Sequence, residues 1–263
     1  MQELIRQYEE TLPLYKCEIE GKMSEEDWLE YNEILFSAHS CAIEGNSFSV
    51  DDTRELKEFG VKAKLQNKTL LEAYEILDHF RAYEYMLSKI GSPLTEELLR
   101  ELHRLVTQHT LPYRAKDAVP GEYTTVDMAA GSTVFGDHEE LIAQVPKLLS
   151  ATQRQMNQSE VHPVRLAAMF HCFFEYLHPF RDGNGRVGRL MANFILLSLK
   201  QPLVIIRQEQ KQQYIAALRF YKQERSTEMI ERFFLETAIS RMKQELQEKT
   251  DNTKNIYDEK ILS

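Results

Sequence analysis

Apolar residues recur at helical spacing along most of the chain. Trp28, Tyr31, Ile34, Leu35 and Ala38 share one face, and Tyr74, Leu77, Phe80, Tyr83 and Leu87 share another. Leu166, Phe170, Phe173, Phe174 and Leu177 form a third stripe, and Val187, Leu190, Met191, Phe194 and Leu197 a fourth. Capping residues frame these runs. Ser24 precedes Glu25-Glu26-Asp27, Ser49 opens a short helix ending near Gly60, Thr95 opens one through about Thr107, and Pro163 suits a first helical position after His162. Gly45-Asn46 reads as a helix stop. Residues 1–20 form a mixed helical segment, and further helices are predicted over about 138–156, 209–222 and 227–247. The polar residues from Thr250 read as a loose tail. Between Leu111 and Phe135 the pattern changes. Pro112, Pro120, Gly121, Gly131 and Gly136 punctuate it, Tyr123 to Met128 are β-prone, and a hairpin turning near Ala130-Gly131 is the one predicted β element. The expected fold class is mainly α.

Composition agrees with that class and narrows the function. With 10 Gly and 8 Pro in 263 residues, helix breakers are few, and 43% hydrophobic residues are enough for a real core. A net charge of −9 argues against non-specific binding to nucleic acid or to an anionic membrane. No apolar run approaches the ~20 residues of a membrane helix. Met1-Gln2-Glu3-Leu4 lacks the basic and apolar regions of a signal peptide, so the expected address is cytoplasmic. Cys17, Cys41 and Cys172 are odd in number and scattered, and imply neither a disulfide framework nor a zinc site.

Against that acidic background, the turn between the third and fourth stripes, His178-Pro179-Phe180-Arg181-Asp182-Gly183-Asn184-Gly185-Arg186-Val187-Gly188-Arg189, crowds positive charge. Arg186 and Arg189 fall in the expected first turn of the next helix, where the helix dipole makes cations unfavourable. Their placement points to an anion. Free N–H groups, small glycines and flanking arginines make a phosphate site, and Asp182 within it suits a Mg²⁺ shared with a polyphosphate. His178 opens the turn as a candidate base. Gly183 to Gly188 also satisfies the dinucleotide-binding pattern G-x-G-x-x-G. That reading needs a preceding strand, and a helical stripe stands there instead. His171 and Glu175 do not match the spacing of a two-histidine zinc helix, and His171 reads as a packed core histidine.

The stretch resembles the signature of the Fic family, His-x-Phe-x-(Asp/Glu)-Gly-Asn-Gly-(Arg/Lys)-x-x-Arg, with every specified position met. The likeness extends from His162-Pro163 through Leu199 and from Pro202 to Leu218. It implies a Fic fold: a helical bundle around a catalytic helix–loop–helix, with a β-hairpin flap. The implied activity is protein adenylylation, the transfer of AMP from ATP to a Ser, Thr or Tyr hydroxyl. In that role His178 is the general base and Asp182 the Mg²⁺ ligand. Gly183, Asn184 and Gly185 hold phosphate, Arg186 the β-phosphate and Arg189 the γ-phosphate, while Phe180 anchors the loop in the core. Tyr214 matches a recurrent family tyrosine near the adenine, and the flap at about 120–136 would pair with a segment of the protein target. Ser40-x-x-x-Glu44-Gly45 resembles the family's inhibitory motif, (Ser/Thr)-x-x-x-Glu-(Gly/Asn). On this resemblance Glu44 pairs with Arg189 in place of the γ-phosphate, and Ser40 steadies the glutamate. The implied organisation is an N-terminal region over 1–92 carrying an inhibitory helix at about 28–45, a catalytic core over 93–247, and the tail over 248–263. The resemblance leaves open removal of AMP, transfer of another phosphate-containing group, self-modification, a homodimer, and a catalytically quiet interaction module.

Overall fold

The computed structural model describes residues 1–63, 66–130, 133–134 and 136–261, with side chains described for all of these except 61, 130, 133, 134 and 251–261. Twelve α-helices run in order among them: α1 (Gln2–Glu18), α2 (Glu25–Ile43), α3 (Val50–Phe59), α4 (Leu70–Ser88), α5 (Glu96–Thr107), α6 (Leu111–Arg114), α7 (His138–Ile142), α8 (Val145–Gln158), α9 (Pro163–Leu177), α10 (Asn184–Ser198), α11 (Lys211–Glu224) and α12 (Glu228–Ile261). Between α6 and α7 lies a two-stranded antiparallel hairpin, β1 (Ala129–Ala130) and β2 (Thr133–Val134), with Ala129 opposite Val134 and Ala130 opposite Thr133.

The caps read from the sequence form. Ser24 Oγ accepts from the Asp27 N–H, Ser49 and Asp52 make a reciprocal capping box, and Thr95 Oγ1 accepts from the Leu98 N–H; Thr69 and Glu72 form a further box not read from the sequence. Helices α9 and α10 pack along each other at the centre. Their stripes meet through Phe170, Phe174, Leu177, Val187, Leu190, Met191 and Phe194, all buried. Helix α2 lies against α4 and α10, which carries its C-terminal end to the start of α10. Helices α1 and α12 close the other side, where buried Arg241 on α12 donates to Glu245, to the Leu203 carbonyl and to Asn32 Oδ1.

Three expectations change, and a fourth lies partly outside the described residues. Tyr123 to Met128 are not strand: Thr124 instead donates its N–H to the Pro179 carbonyl at 2.8 Å, and pairing begins only at Ala129. The hairpin turn near Ala130-Gly131 falls partly on Gly131, outside the described residues. The run 138–156 is two helices, because Pro146 removes a backbone donor and restarts the chain at Val145. The expected loose tail from Thr250 instead continues α12 to Ile261; its Asp, Asn and Thr residues are weak helix formers, but extending an existing helix needs no new nucleus.

Candidate functional site

The site forms where α9 ends and α10 begins. His178 is the C-cap of α9, left-handed at φ +47°, with its N–H donated to the Phe174 carbonyl at 2.9 Å. The chain then turns through Phe180, fully buried and stacked at 3.8 Å on the ring of His103 from α5. Gly183 sits at φ +80° as the N-cap of α10, and a Cβ there would meet Thr107 Cγ2 at 2.7 Å, so both conformation and space demand glycine. The helix starts at Asn184, two residues before the expected Arg186. Arg186 is therefore its third residue, and Arg189 lies in the second turn, not the first.

Two histidines are fixed by this loop. The Gly121 N–H donates to His103 Nδ1 at 2.9 Å, which leaves Nε2 protonated to donate to the Asp182 carbonyl at 3.0 Å. Burial lowers the pKa of His103 to about 4, so the ring is a neutral strut beneath the loop. Burial likewise lowers His178 to about 4, against a smaller upward pull from Glu44. A neutral imidazole is the form that can accept a proton.

A cavity of about 410 Å³ opens beside His178, lined by Glu44, Glu175, Gly185, Arg189, Tyr214 and Leu218 among others. Its volume lies within the range of small-molecule sites. Within its lining Arg189, 3% exposed, donates from Nη2 to Glu44 Oε1 at 2.8 Å and to the Ser40 carbonyl at 2.8 Å. Its Nε donates to Ser40 Oγ at 3.0 Å. Ser40 thus holds the arginine and makes no hydrogen bond to Glu44, contrary to the expectation that it steadies the glutamate, because both residues converge on one guanidinium from successive turns of α2. Burial opposes ionisation of Glu44, but the charge and hydrogen bond of Arg189 outweigh it and hold its carboxyl below the ordinary value of 4.5. The carboxylate also covers Gly185: a Cβ there would collide with Glu44 Oε1 and lie 2.9 Å from Arg189 Nη1. The Glu44 carboxylate thus lies against the first turns of α10.

The remaining expected residues divide. Tyr214 lines the cavity, but its hydroxyl is already engaged, accepting from Arg189 Nη1 at 3.5 Å and lying 2.6 Å from His171 Nε2. His171 is buried in the core, as expected. The Asn184 side chain does not face a phosphate: it accepts from the Phe180 N–H at 3.0 Å and donates to the Phe180 carbonyl at 2.7 Å, closing the loop on itself. Arg186 is fully buried and lines no part of the cavity. It donates to Asp182 Oδ2 at 3.1 Å and lies 3.4 Å from Glu75 Oε1. Asp182 keeps about a quarter of its side chain exposed, with Arg114 Nη1 3.7 Å from the same oxygen.

Among the described residues no three His, Cys, Asp or Glu side chains gather to hold a metal ion. Asp182 as the sole carboxylate fits Mg²⁺, which is held by one or two carboxylates together with phosphate oxygens and water.

Sequence reasoning missed four contributors, the His103 strut beneath the loop being the first. Glu175, set aside as a false metal ligand, lines the cavity, with Oε2 3.9 Å from His178 Nδ1. Burial, and then the nearby Glu44, raise its pKa to about 8, so it is a neutral acid at pH 7. The signal was one acidic residue inside an apolar stripe, three positions before His178. Glu75 and Arg114, by contrast, come from α4 and α6, and no spacing in the sequence links them to Asp182.

The flap is tied to this loop. Besides the Thr124–Pro179 bond, Thr124, Met128, Leu141 and His178 share a narrow crevice, so the segment leading into the hairpin stands over the histidine.

Comparison with known proteins agrees with this geometry. A sequence model of the Fic/DOC family matches residues 93–196. A protein adenylyltransferase Fic of Culex quinquefasciatus is 33% identical over 182 residues, which is 67% of this chain and 34% of that protein. The chain thus spans about a third of the length of that curated relative. A Fic-domain-containing signalling protein from Bacteroides thetaiotaomicron superposes with a TM-score of 0.76 at 22% identity, covering 92% of this chain and 93% of that one. Fic-1 of C. elegans (residues 134–508) superposes with a TM-score of 0.77 at 21% identity, covering 95% and 73%. These superpositions establish the shared fold.

Proposed function

Because the chain carries a Fic/DOC family domain, we propose that it transfers AMP from ATP to a hydroxyl group of a protein, and that Glu44 holds this activity in check. The observation that carries the reading is the neutral His178 lining the same nucleotide-sized cavity as Arg189, whose guanidinium is taken by Glu44. With Glu44 withdrawn, Arg189 and the α10 backbone around Gly185 are free to take phosphate oxygens. The Asn184 contribution is its own backbone and the closed loop it maintains, since its side chain is committed.

The steps this chain performs follow from that placement. His178 takes the proton from the target hydroxyl as that oxygen attacks the α-phosphorus, and the bond from phosphorus to the bridging oxygen breaks to release pyrophosphate. A Mg²⁺ on Asp182, when bound, would supply charge neutralisation on the phosphates. Arg189 binds the distal phosphate, and Tyr214 and Leu218 line the wall available to the base. The hairpin offers an edge on which an extended target segment can lie beside His178. Self-modification is the simplest activity to expect of an uninhibited variant.

Hydrolytic removal of AMP from a protein, with water taking the place of the leaving hydroxyl on phosphorus, is a second reading, favoured by a carboxylate, Glu44, in the same cavity as His178. Incubating Glu44→Gly with α-labelled or γ-labelled ATP and Mg²⁺ separates the possibilities. AMP transfer predicts protein-bound label from α-labelled ATP only, lost in Glu44→Gly/His178→Ala. Label from γ-labelled ATP would mean phosphate transfer. No label from either, with AMP released from a modified protein by wild type and not by Glu44→Gly, would establish AMP removal instead.

A further inference from the structure

We propose that Glu75, on α4 and outside the family-matched segment, is a positioning residue whose buried charge offsets Arg114 and Arg186 so that Asp182 can accept a divalent cation. The inference rests on the nucleotide reading above. Asp182 Oδ2 faces two guanidinium groups, Arg186 Nη2 at 3.1 Å and Arg114 Nη1 at 3.7 Å. On their own these two cations would hold the carboxylate and repel a dication, most strongly where water is excluded. Glu75 is 1% exposed and stands behind both. Its Oε1 pairs with Arg114 Nη2 and lies 3.4 Å from Arg186 Nη1, while Oε2 accepts from Asn46 Nδ2 at 2.9 Å. Each arginine thus spans two carboxylates, and the four charges balance. With the Glu75 carboxylate in place, a dication meets two carboxylates set against two guanidinium groups, with a partly exposed carboxylate oxygen on the rim. With an amide at position 75, it meets an excess of positive charge.

The prediction has a sign that a purely structural role lacks. Making the cluster more positive weakens the benefit of Mg²⁺ but favours the more highly charged metal-free nucleotide. A loss of packing weakens both forms together. The background for the test is Glu44→Gly/His178→Ala, in which the brake is absent and turnover does not mask binding. ATP is titrated calorimetrically into this parent and into its Glu75→Gln derivative, in Mg²⁺ and in EDTA. Glu75→Gln is expected to lose about tenfold or more of the affinity gained from Mg²⁺ while binding metal-free ATP as well as the parent or better. Adding Arg114→Gln restores the balance and should recover most of that gain. An unchanged gain from Mg²⁺, or a parallel loss in both conditions that Arg114→Gln does not repair, would overturn the proposal. Should Glu75→Gln fail to fold, as read by thermal unfolding, Arg114→Gln alone decides. Arg114 is one-third exposed, and its loss must increase the gain from Mg²⁺. Failure of the parent to bind ATP at all would instead count against the nucleotide site, a distinct result.

Discussion

At the scale of single residues, the site works through groups whose ionisation is set by burial. His178 is neutral because its imidazole is desolvated, which lowers its pKa to about 4, well under the ordinary 6.5. The acid limb of AMP transfer by Glu44→Gly is therefore expected at or below pH 4, since removing Glu44 takes away an upward pull on the histidine. A kcat/KM profile with its limb near 6.5 would show that the ring is solvated. Gly185 carries the second prediction at this scale. A methyl group there would occupy the space of the Glu44 carboxylate and crowd Arg189. Gly185→Ala should loosen the brake contact yet transfer AMP far more slowly than Glu44→Gly, because the same methyl intrudes where phosphate must sit. Rates at or above those of Glu44→Gly would contradict this. The motif residues His178, Asp182, Gly183 and Arg189 were legible in the sequence because they sit in one contiguous turn. The inward turn of Arg186 and the loop-closing Asn184 were not, since each depends on a partner fixed only once the chain folds.

At the scale of elements, the decisive relation is between the C-terminal end of α2 and the N-terminal end of α10. Ser40 and Glu44, one turn apart, reach the same guanidinium, so α2 grips Arg189 at three points. The grip depends on charge. Glu44 has a lowered pKa, so its contribution is full above the ordinary carboxylate value of 4.5 and is lost as pH falls through the lowered one. The brake is thus expected to hold throughout the neutral range. Ser40→Ala removes one of the three contacts and leaves the carboxylate, so basal transfer should rise, but to only part of the Glu44→Gly rate. A Ser40→Ala rate equal to that of wild type would mean that the hydroxyl adds nothing to the grip. Periodicity made α2 and α10 readable as helices, and the resemblance supplied their pairing. The hairpin was expected where it forms, but its first strand was read as too long, because Thr124 within the β-prone residues 123–128 bonds to the loop at Pro179 instead of to a partner strand.

For the whole molecule, enclosing the site has a cost in acid. His79, His103, His171 and His178 are all held as neutral rings with pKa values lowered by burial. Each binds a proton more readily in the unfolded chain, so its stabilising contribution is complete above the ordinary value of 6.5 and declines as pH falls from there toward the lowered value. The melting temperature should therefore drop steadily between pH 6.5 and about 4, and His103→Gln should blunt that dependence; a flat profile would contradict the neutral assignment. The helical class was open to sequence reasoning because four apolar stripes declare it. The long-range convergence of α4, α5 and α6 on Asp182 was not, since Glu75, His103 and Arg114 carry no periodic signal of their purpose. All these scales meet in one comparison, the rate at which label from α-labelled ATP enters protein with wild type and with Glu44→Gly under identical Mg²⁺ and pH. The account predicts little incorporation by wild type and a rise of about tenfold or more in the variant, as expected when a competing buried ion pair is removed from an anion site. Equal rates in the two proteins would contradict it.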